Sequence, residues 1–461
     1  MELKNKRVLV VGLGKSGIAA ALFLRDRGAR VTVSDARSAQ ELEREIPALL
    51  EAGVMVETDG HGLLTFRGQD LIVVSPGVPY DTPELAQSRA FGIPVIGELE
   101  LACRFLQGQI TGVTGSNGKT TTTSLIGKIF ADCGRDTLVG GNIGVPVIEL
   151  VQRSSVGTMN VLEVSSFQLE TVEAFAPHIA VVLNITPDHL DRHGSFENYA
   201  AMKARITSKQ THADFLVLNA EDKPTQMVAG KTQAQVFWFS GRRPIRQGAF
   251  VHGESIVFVP SEGGPTEPVM PVAEIPLKGA HNVDNVLAAV CAARLGGVPA
   301  EKIREAVRSF QAVEHRLEFV AEVSGVAYYN DSKATNVDAT KKALEAFPGG
   351  VHLILGGKDK DSDYTELADL IRKRVKTVAT IGSAAEKIER QLAGVTKIVS
   401  AGTLESAVQT VSAEATAGDV ALLAPACSSF DQFDNYEHRG RSFKEIVRQL
   451  VGARSRPGVE N

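Results

Sequence analysis

Residues 110–122 read ITGVTGSNGKTTT, a stretch that is typical of a phosphate-binding loop. An apolar run leads into glycines at 112, 115 and 118, followed by Lys119 and a run of threonines. The common Walker A spacing would place a glycine where Val113 stands, so the match is incomplete. The order of strand, glycine turn, lysine, threonine and helix still predicts a phosphate-binding loop. In such a loop Lys119 bridges the outer phosphates and Thr120 holds Mg²⁺.

Short apolar runs alternate with helical patterns along the whole chain. Runs such as RVLVVG, NVLEVSS and DVALLAPA are typical of parallel strands that are buried on both faces. Helical segments such as residues 16–28 and 119–134 each end at a glycine. This alternation predicts an α/β protein with mostly parallel sheets. We expect three domains, at residues 1–97, 98–312 and 313–461, with a small antiparallel insert between about 225 and 275.

Composition argues against several classes of protein. The 461 residues include 49 basic and 54 acidic side chains, and this net charge of −5 argues against a broad nucleic-acid-binding surface. The four cysteines lie far apart without a C-x-x-C pair, which argues against a disulfide framework and a zinc site. The N-terminus lacks the layout of a signal peptide, and no apolar run approaches the roughly 20 residues of a membrane span. We therefore expect a cytoplasmic protein.

A second glycine motif lies at the start of the chain. VLVVGLGKSG places Gly12, Gly14 and Gly17 in G-x-G-x-x-G spacing, and Asp35 ends the next strand about 20 residues later. This is the sequence context of a dinucleotide fingerprint, which favours a nicotinamide dehydrogenase. A plain turn in a Rossmann-like domain explains the motif equally well. The motif by itself indicates a diphosphate-bearing nucleotide and not hydride chemistry.

Four further polar residues, in three segments, have a structural or a functional interpretation. Glu163, in the apolar run NVLEVSS, would be costly to bury unless paired or metal-bound, although an ordinary strand-end carboxylate is an equal alternative. Asp188 and His189 lie in a loop after another buried strand, where sites of α/β proteins occur. Mg²⁺ prefers oxygen ligands. When His189 is considered by itself, we therefore expect a hydrogen-bonding loop residue and not a metal ligand. Lys203, in a helix predicted within 195–209, is expected to be a solvated surface residue.

Several segments together resemble the Mur ligases, the ATP-dependent amide-forming ligases of peptidoglycan synthesis. They occur in the family's order and cover nearly the whole chain: GSNGKTTT, GGNIG, LEVSSFQL, NITPDHLDRH, the lysine of AAMKARI, HN-x-x-N ending at Asn285, EHR, NDSKATN and PACSSFDQF. NDSKATN and PACSSFDQF are similar to the branch that adds D-glutamate to UDP-N-acetylmuramoyl-L-alanine. The uridine-nucleotide domain at the N-terminus separates the chain from the related folylpolyglutamate synthetases.

The resemblance implies roles for individual residues. The UDP-bearing substrate would contact Lys15, Ser16, Asp35, Arg37, Ser75, Gly77 and Asn142. ATP would be held by Gly115, Asn117, Gly118, Lys119, Thr120, Thr121, Asn285, Arg316 and Asp331. D-Glutamate would contact Lys333, Thr335, Lys360, Ser429 and Phe430. Two Mg²⁺ ions would be held by Thr120, Glu163, His189 and a carbamylated Lys203. The catalytic set would be Lys119, His189, Lys203 and Lys333. The chain departs from the family at Ala36, where threonine is frequent, and it carries an extra lysine, Lys358.

The resemblance also implies a reaction. An amine cannot expel oxide from a carboxylate, so ATP would first phosphorylate the carboxylate of the L-alanine end. The amine of D-glutamate would then attack the acyl phosphate, giving an amide, ADP and phosphate. Lys119, Arg316, Lys333 and the two Mg²⁺ ions would offset the repulsion between these anions. A monomer is expected, with closure of the C-terminal domain as a step. A dehydrogenase leaves GSNGKTT, HN-x-x-N and NDSKATN unexplained, and a nonenzymatic ATP-driven switch leaves the Gly12 turn unexplained.

Overall fold

The computed structural model describes residues 1–277, 279–311 and 314–454. The chain divides into two compact units. The first consists of Met1–Glu274 with Asp284–Ser309, and the second of Ile275–Val283 with Phe310–Asn461. The predicted boundary at residues 312 and 313 lies outside the described residues. The three domain boundaries given above stay a prediction.

The first unit contains two sheets. Its strands are β1 (Arg7–Val11), β2 (Arg30–Ser34), β3 (Met55–Glu57), β4 (Leu71–Val74), β5 (Val95–Gly97), β6 (Gln109–Thr114), β7 (Thr137–Gly141), β8 (Met159–Glu163), β9 (Ile179–Val182), β10 (Phe215–Asn219), β11 (Gln235–Ser240), β12 (Gly248–His252), β13 (Ser255–Val259) and β14 (Glu267–Pro271).

Helices lie between most of these strands. They are α1 (Lys15–Asp26), α2 (Ile46–Glu51), α3 (Leu63–Phe66), α4 (Pro83–Ala90), α5 (Glu98–Cys103), α6 (Lys119–Asp132), α7 (Val147–Leu150), α8 (Ser166–Leu169), α9 (Leu190–His193), α10 (Phe196–Ala204), α11 (Lys223–Gln226), α12 (Ala280–Leu295) and α13 (Ala300–Arg308). Helix α12 crosses the division between the units.

The first sheet has the order β3-β2-β1-β4-β5, and all of its strands are parallel. Strand β1 pairs with β2 on one side and β4 on the other, for example Val8 with Val31 and with Leu71. Connections leave these two sides in opposite directions, so the crevice at the carboxyl ends of β1 and β4 is the expected ligand position. Both the Gly12 turn and the turn after β4 lie at this edge.

The second sheet has the order β14-β13-β12-β11-β10-β9-β6-β8-β7. It is parallel from β7 to β12, and β12, β13 and β14 are antiparallel. Strands β8 and β9 are buried along their whole length, as the apolar runs predict. This topology corrects the prediction of a small antiparallel insert. Strand β11 joins the parallel part, and the antiparallel strands extend the same sheet because β12 pairs with β11.

The second unit contains one sheet of order β15-β16-β20-β17-β18-β19. Its strands are β15 (Glu318–Val323), β16 (Val326–Asn330), β17 (Val351–Gly356), β18 (Val375–Ile381), β19 (Lys397–Gly402) and β20 (Val420–Leu423). Its helices are α14 (Val337–Glu345), α15 (Ala368–Arg374), α16 (Ala385–Gln391), α17 (Leu404–Glu414) and α18 (Tyr436–Arg454). Strands β15 and β16 are antiparallel and the other pairs are parallel. The predicted α/β class with mostly parallel sheets is thus confirmed.

Candidate active site

The phosphate loop connects β6 to α6 and depends on two glycines with positive φ. Gly115 has φ of 154° and Gly118 has φ of 86°, where side chains with a Cβ are strained. A Cβ on Gly118 would lie 2.2 Å from Asn285 Oδ1, so only glycine fits against that amide. Asn285, predicted to contact ATP, therefore lies beside the loop. The free N–H groups at the N-terminus of α6 make this position suited to phosphate.

Lys119 and a second asparagine hold the loop in shape. Lys119 Nζ donates to the carbonyls of Gly115 and Ser116, both at 2.9 Å. Asn184 accepts from the backbone N–H of Asn117 at 2.8 Å and donates back to the Asn117 carbonyl at 3.0 Å. Sequence reasoning missed Asn184, although its place directly after the buried strand β9 is a signal for a site residue.

The carboxylate of Glu163 connects the phosphate loop to the turn after β7. Glu163 ends β8 and is 1% exposed. Its Oε2 accepts from the Thr120 hydroxyl at 2.8 Å, and its Oε1 accepts from Asn142 Nδ2 at 2.8 Å. These donors explain how a carboxylate is tolerated in an apolar strand.

Thr120 and Glu163 are suitable ligands for a magnesium ion that is bound together with ATP. Among residues 1–277, 279–311 and 314–454, no three histidine, cysteine, aspartate or glutamate side chains form a ligand set for a metal ion. Mg²⁺ in ATP sites keeps phosphate and water ligands and takes one or two carboxylates from the protein. The hydroxyl of Thr120 and the carboxylate of Glu163 match that requirement.

Lys203 is buried, so its assignment as a surface residue from the helical pattern alone is wrong. The side chain leaves α10, is 1% exposed, and donates to the Gly115 carbonyl at 2.8 Å. Its Nζ lies 4.6 Å from the ring centroid of Tyr199. Burial and the nearby charge of Lys119 hold the pKa of Lys203 well below its usual value, against the attraction of Asp188 and Glu163. The neutral amine is therefore favoured.

His189 lies in the loop after β9 with a left-handed backbone. Its φ is 54°, which histidine adopts more readily than most residues. The His189 N–H donates to Asp188 Oδ1 at 3.0 Å, and its Nε2 lies 3.7 Å from Asp188 Oδ2. The ring packs edge-on against Phe167, with centroids 4.9 Å apart. These contacts orient an imidazole that is about one-third exposed, at 35% for the side chain.

A cleft of ≈ 260 Å³ lies at the Gly12 turn. Five of the seven residues predicted to contact the UDP-bearing substrate line it: Lys15, Ser16, Ser75, Gly77 and Asn142. Lys15 Nζ donates to the Gly144 carbonyl across the cleft. Gln168 also lines it, and sequence reasoning missed this residue. The sequence feature that could have identified Gln168 is the capping box that it forms with Ser165 at the start of α8.

Asp35 and Arg37 form an ion pair after β2. Asp35 accepts four hydrogen bonds, from the Leu13 and Arg37 backbone N–H groups and from Nε and Nη2 of Arg37. Burial opposes ionisation of Asp35, but these bonds prevail and hold its pKa at about 2. Because its acceptor positions are filled, the carboxylate is poorly placed to bind the ribose hydroxyl that a dehydrogenase requires.

In the second unit, three loops follow the neighbouring strands β16, β20 and β17. Asp331 follows β16 and is buried, and burial raises its pKa to about 7 against the charge of Arg316. Lys333 Nζ donates to the Tyr436 hydroxyl at 2.9 Å, and sequence reasoning missed this tyrosine. Thr335 is half-buried in the same loop.

The other two loops carry the remaining residues predicted to contact D-glutamate. Lys360, after β17, is half-buried, and the neighbouring Lys358 is exposed. After β20, Ser429 is 2% exposed and Phe430 is 67% exposed. The structure thus brings Lys333, Lys360 and Ser429 to one edge of the sheet, and their roles stay predictions.

Known proteins match both units. Three family profiles match, described as "Mur ligase MurD-like, N-terminal domain" at residues 6–97, "Mur ligase middle domain" at 113–293 and "Mur ligase, glutamate ligase domain" at 315–427. The UDP-N-acetylmuramoylalanine–D-glutamate ligase of Acidobacterium capsulatum is 66% identical over 98% of both chains. The chain belongs to the Mur ligase family.

Further comparisons support that assignment. The ligase of the same name from Koribacter versatilis is 60% identical over 98% of this chain and 99% of its own. The structure of UDP-N-acetylmuramate-alanine ligase MurC from Thermotoga maritima has a TM-score of 0.61 at 18% identity, covering 96% of this Mur ligase and all of that chain. This likeness concerns the fold alone. The family resemblance expected from the motifs is confirmed, and the dehydrogenase interpretation is wrong.

In the part of this Mur ligase that the structure describes, no helix combines the length and apolar composition that a membrane span requires.

The bonds to Asp35 predict how stability depends on pH. The pKa of about 2 in the folded protein is below the unfolded value of about 3.9, so Asp35 stabilises the fold above pH 4. Asp35→Asn should therefore lower the free energy of unfolding by about 2–3 kcal/mol at pH 7. The difference should shrink as the pH falls from about 4 to 2, measured by urea unfolding at each pH.

A matched control is available on the helix that precedes β2. Asp26, at the end of α1, has a side chain that is 53% exposed and pairs with Arg25. Asp26→Asn should change the stability by less than about 1 kcal/mol at every pH. A difference for Asp35→Asn that stayed constant from pH 7 to 2 would contradict the assigned electrostatic role.

Proposed function

We propose that this chain adds D-glutamate to UDP-N-acetylmuramoyl-L-alanine, with ATP as the energy source, in peptidoglycan precursor synthesis. One observation carries the proposal. The cleft lined by Lys15 and Ser75 reaches Asn142, whose amide is bonded to Glu163, and Glu163 is bonded to Thr120 of the phosphate loop. A substrate in this cleft would have one end beside the phosphates of ATP. The curated relatives at 66% and 60% identity carry the name of this ligase.

The arrangement supports activation of a carboxylate by phosphorylation. The N–H groups at the start of α6 and the ammonium of Lys119 would bind the phosphates of ATP, and their position in the glycine-rich loop supports this role. When the carboxylate oxygen of the L-alanine end attacks the γ-phosphorus, the bond from that phosphorus to ADP breaks. The charge of Lys119 offsets the repulsion between the two anions. The product is an acyl phosphate, whose phosphate is a good leaving group.

The second unit supplies the groups proposed to hold D-glutamate. Lys333, Thr335, Lys360 and Ser429 offer cations and hydroxyls to its two carboxylates. The free amine of D-glutamate attacks the acyl carbon, the bond to phosphate breaks, and the amine loses a proton as the amide forms. We propose that the protein acts as a monomer in the cytoplasm, where ATP and nucleotide-linked precursors are available.

Mg²⁺, which the family requires, would be held at two positions. Thr120 and Glu163 would bind one ion, and His189 and a carbamylated Lys203 the other. Bound Mg²⁺ would neutralise charge between phosphate and carboxylate. The buried amine of Lys203 supports the modification, because burial favours the neutral form. Its nitrogen would bond to the carbon of CO₂ and release a proton, leaving a carbamate with oxygen donors suited to Mg²⁺.

An isotope experiment tests the acyl-phosphate pathway. UDP-N-acetylmuramoyl-L-alanine carrying labelled oxygen in its carboxylate should transfer one labelled oxygen to the phosphate that is released. The transfer follows because one carboxylate oxygen becomes the bridge to phosphorus and leaves with it. Mass spectrometry of the phosphate gives the result. Phosphate that acquires oxygen only from water would contradict the proposed pathway.

Substitutions at Lys203 test the carbamate. Both Lys203→Ala and Lys203→Arg should lower ligase activity by more than about tenfold, because neither side chain can form the carbamate. Both should still bind UDP-N-acetylmuramoyl-L-alanine through the cleft at the Gly12 turn. Bicarbonate labelled with carbon-13 should give a carbamate signal in NMR spectra of the wild type and none in Lys203→Arg.

The exposed Lys209, on the segment that follows the same helix, provides the control. Lys209→Arg should retain full activity. Full activity in Lys203→Arg would show that the position needs only a positive charge, and the carbamate proposal would then be wrong.

A further inference from the structure

Arg439 is the largest side chain of the described residues that is fully buried. It lies in the first turns of α18, and its guanidinium is bonded to four acceptors. Nε donates to Ser332 Oγ at 3.0 Å, and Nη2 donates to the Ser332 carbonyl at 2.8 Å. Nη2 also donates to the Cys427 carbonyl at 3.2 Å, and Nη1 donates to the Ser428 carbonyl at 3.3 Å. Such a planar fork is a geometry that lysine cannot reproduce.

These acceptors belong to two of the three loops described above. Ser332 stands next to Lys333, in the loop after β16, and Cys427 and Ser428 stand before Ser429, in the loop after β20. One guanidinium therefore ties together two segments that are 95 positions apart in the chain, from 332 to 427.

The third loop is attached to the second by the backbone. Lys358 N–H donates to the Ser428 carbonyl at 2.9 Å, and Ser428 N–H donates to the Lys358 carbonyl at 3.1 Å. The Ser428 hydroxyl adds a bond to the same Lys358 carbonyl at 3.0 Å. Lys360 follows two residues later. All three loops are thus linked, directly or through Ser428, to Arg439.

Among the described carboxylates, that of Asp431 attracts the charge of Arg439 without forming an ion pair with it. No acidic side chain forms an ion pair with it in the described part of the second unit. Burial lowers its pKa to about 10, which still leaves it charged at neutral pH. An unpaired buried charge is expensive, and hydrophobic side chains of similar volume frequently replace such groups without loss of stability. General packing therefore does not explain a buried arginine here.

We infer that Arg439 is a positioning residue that fixes the three loops carrying Lys333, Lys360 and Ser429 in the arrangement that binds D-glutamate. The inference rests on the proposed function. Arg439 is not among the nine residues assigned above to ATP or the five assigned to D-glutamate. The guanidinium also polarises the peptide groups whose carbonyls it binds, which strengthens the N–H groups of Lys333, Ser428 and Ser429 as donors.

The experiment compares Arg439→Lys and Arg439→Met with the wild type, using purified full-length protein, ATP, UDP-N-acetylmuramoyl-L-alanine and D-glutamate. Both variants should raise the KM for D-glutamate by about tenfold or more, because the loops lose their common anchor. The KM for UDP-N-acetylmuramoyl-L-alanine, which binds in the first unit, should change by less than about twofold. Partial unfolding alone would lower kcat and leave both KM values unchanged.

Arg374→Met is the matched control. Arg374 Nη1 also binds three backbone carbonyls of the second unit, those of Leu344, Glu345 and Phe347 at 3.1, 3.0 and 2.5 Å. These carbonyls lie at the far end of α14 from the loop with Lys333. Arg374→Met should therefore reduce thermal stability while leaving the KM for D-glutamate as in the wild type.

Each outcome decides the inference. If the wild type shows no phosphate release that depends on D-glutamate, the proposed function is overturned, and this inference with it. With an active wild type, an unchanged KM for D-glutamate in Arg439→Lys would overturn the inference alone. An equal rise of the KM for both substrates, or the same rise in Arg374→Met, would also overturn it. If Arg439→Met does not fold, Arg439→Lys decides, because it keeps the charge and loses the fork.

Discussion

The buried carboxylate of Glu163 is the contact on which the site of the first unit depends. It accepts hydrogen bonds from Thr120, at the start of α6, and from Asn142, in the turn after β7. A carboxylate with 1% exposure requires such partners, because burying it without them is strongly unfavourable. The same two bonds bring the substrate cleft and the phosphate loop to one group. The proximity of two ligands that must react follows from this shared contact.

Parallel sheets determine where the rest of the chemistry lies. In the first unit the Gly12 turn, the phosphate loop and the loop with Asp188 and His189 all follow the carboxyl ends of strands. In the second unit the loops with Lys333, Lys360 and Ser429 follow the adjacent strands β16, β17 and β20. Strand order thus places residues that are distant in sequence at one edge of each sheet. Buried polar side chains, Lys203 in the first unit and Arg439 in the second, then hold the loops in place.

The sequence was sufficient for the fold class and for the glycine turns, because apolar runs and glycine spacing report local geometry directly. Motif order was sufficient for the family. The burial of Lys203 did not follow from the helical pattern, since the depth of a helix face depends on what packs against it. The resemblance, and not the residue pattern, indicated its position in the site.

Other site residues were missed because their partners are remote in sequence. Asn184, Gln168 and Tyr436 are ordinary polar or aromatic residues until the fold brings them to a loop. In the sequence, Arg439 resembles an ordinary surface residue, because its helix carries several other charged side chains. The sequence also did not indicate that the antiparallel strands extend the larger sheet through β11, because strand propensity does not show which sheet a strand joins.

A ligase with this site hydrolyses ATP only while it joins D-glutamate to a UDP-linked carboxylate. The most direct measurement is phosphate release from ATP with UDP-N-acetylmuramoyl-L-alanine and a panel of D- and L-amino acids, each tested singly. Steady release is expected with D-glutamate, and little release with L-glutamate, with the other amino acids or with none. Release that proceeds equally without any amino acid, or that is supported equally by L-glutamate, would show that the chain is not this ligase.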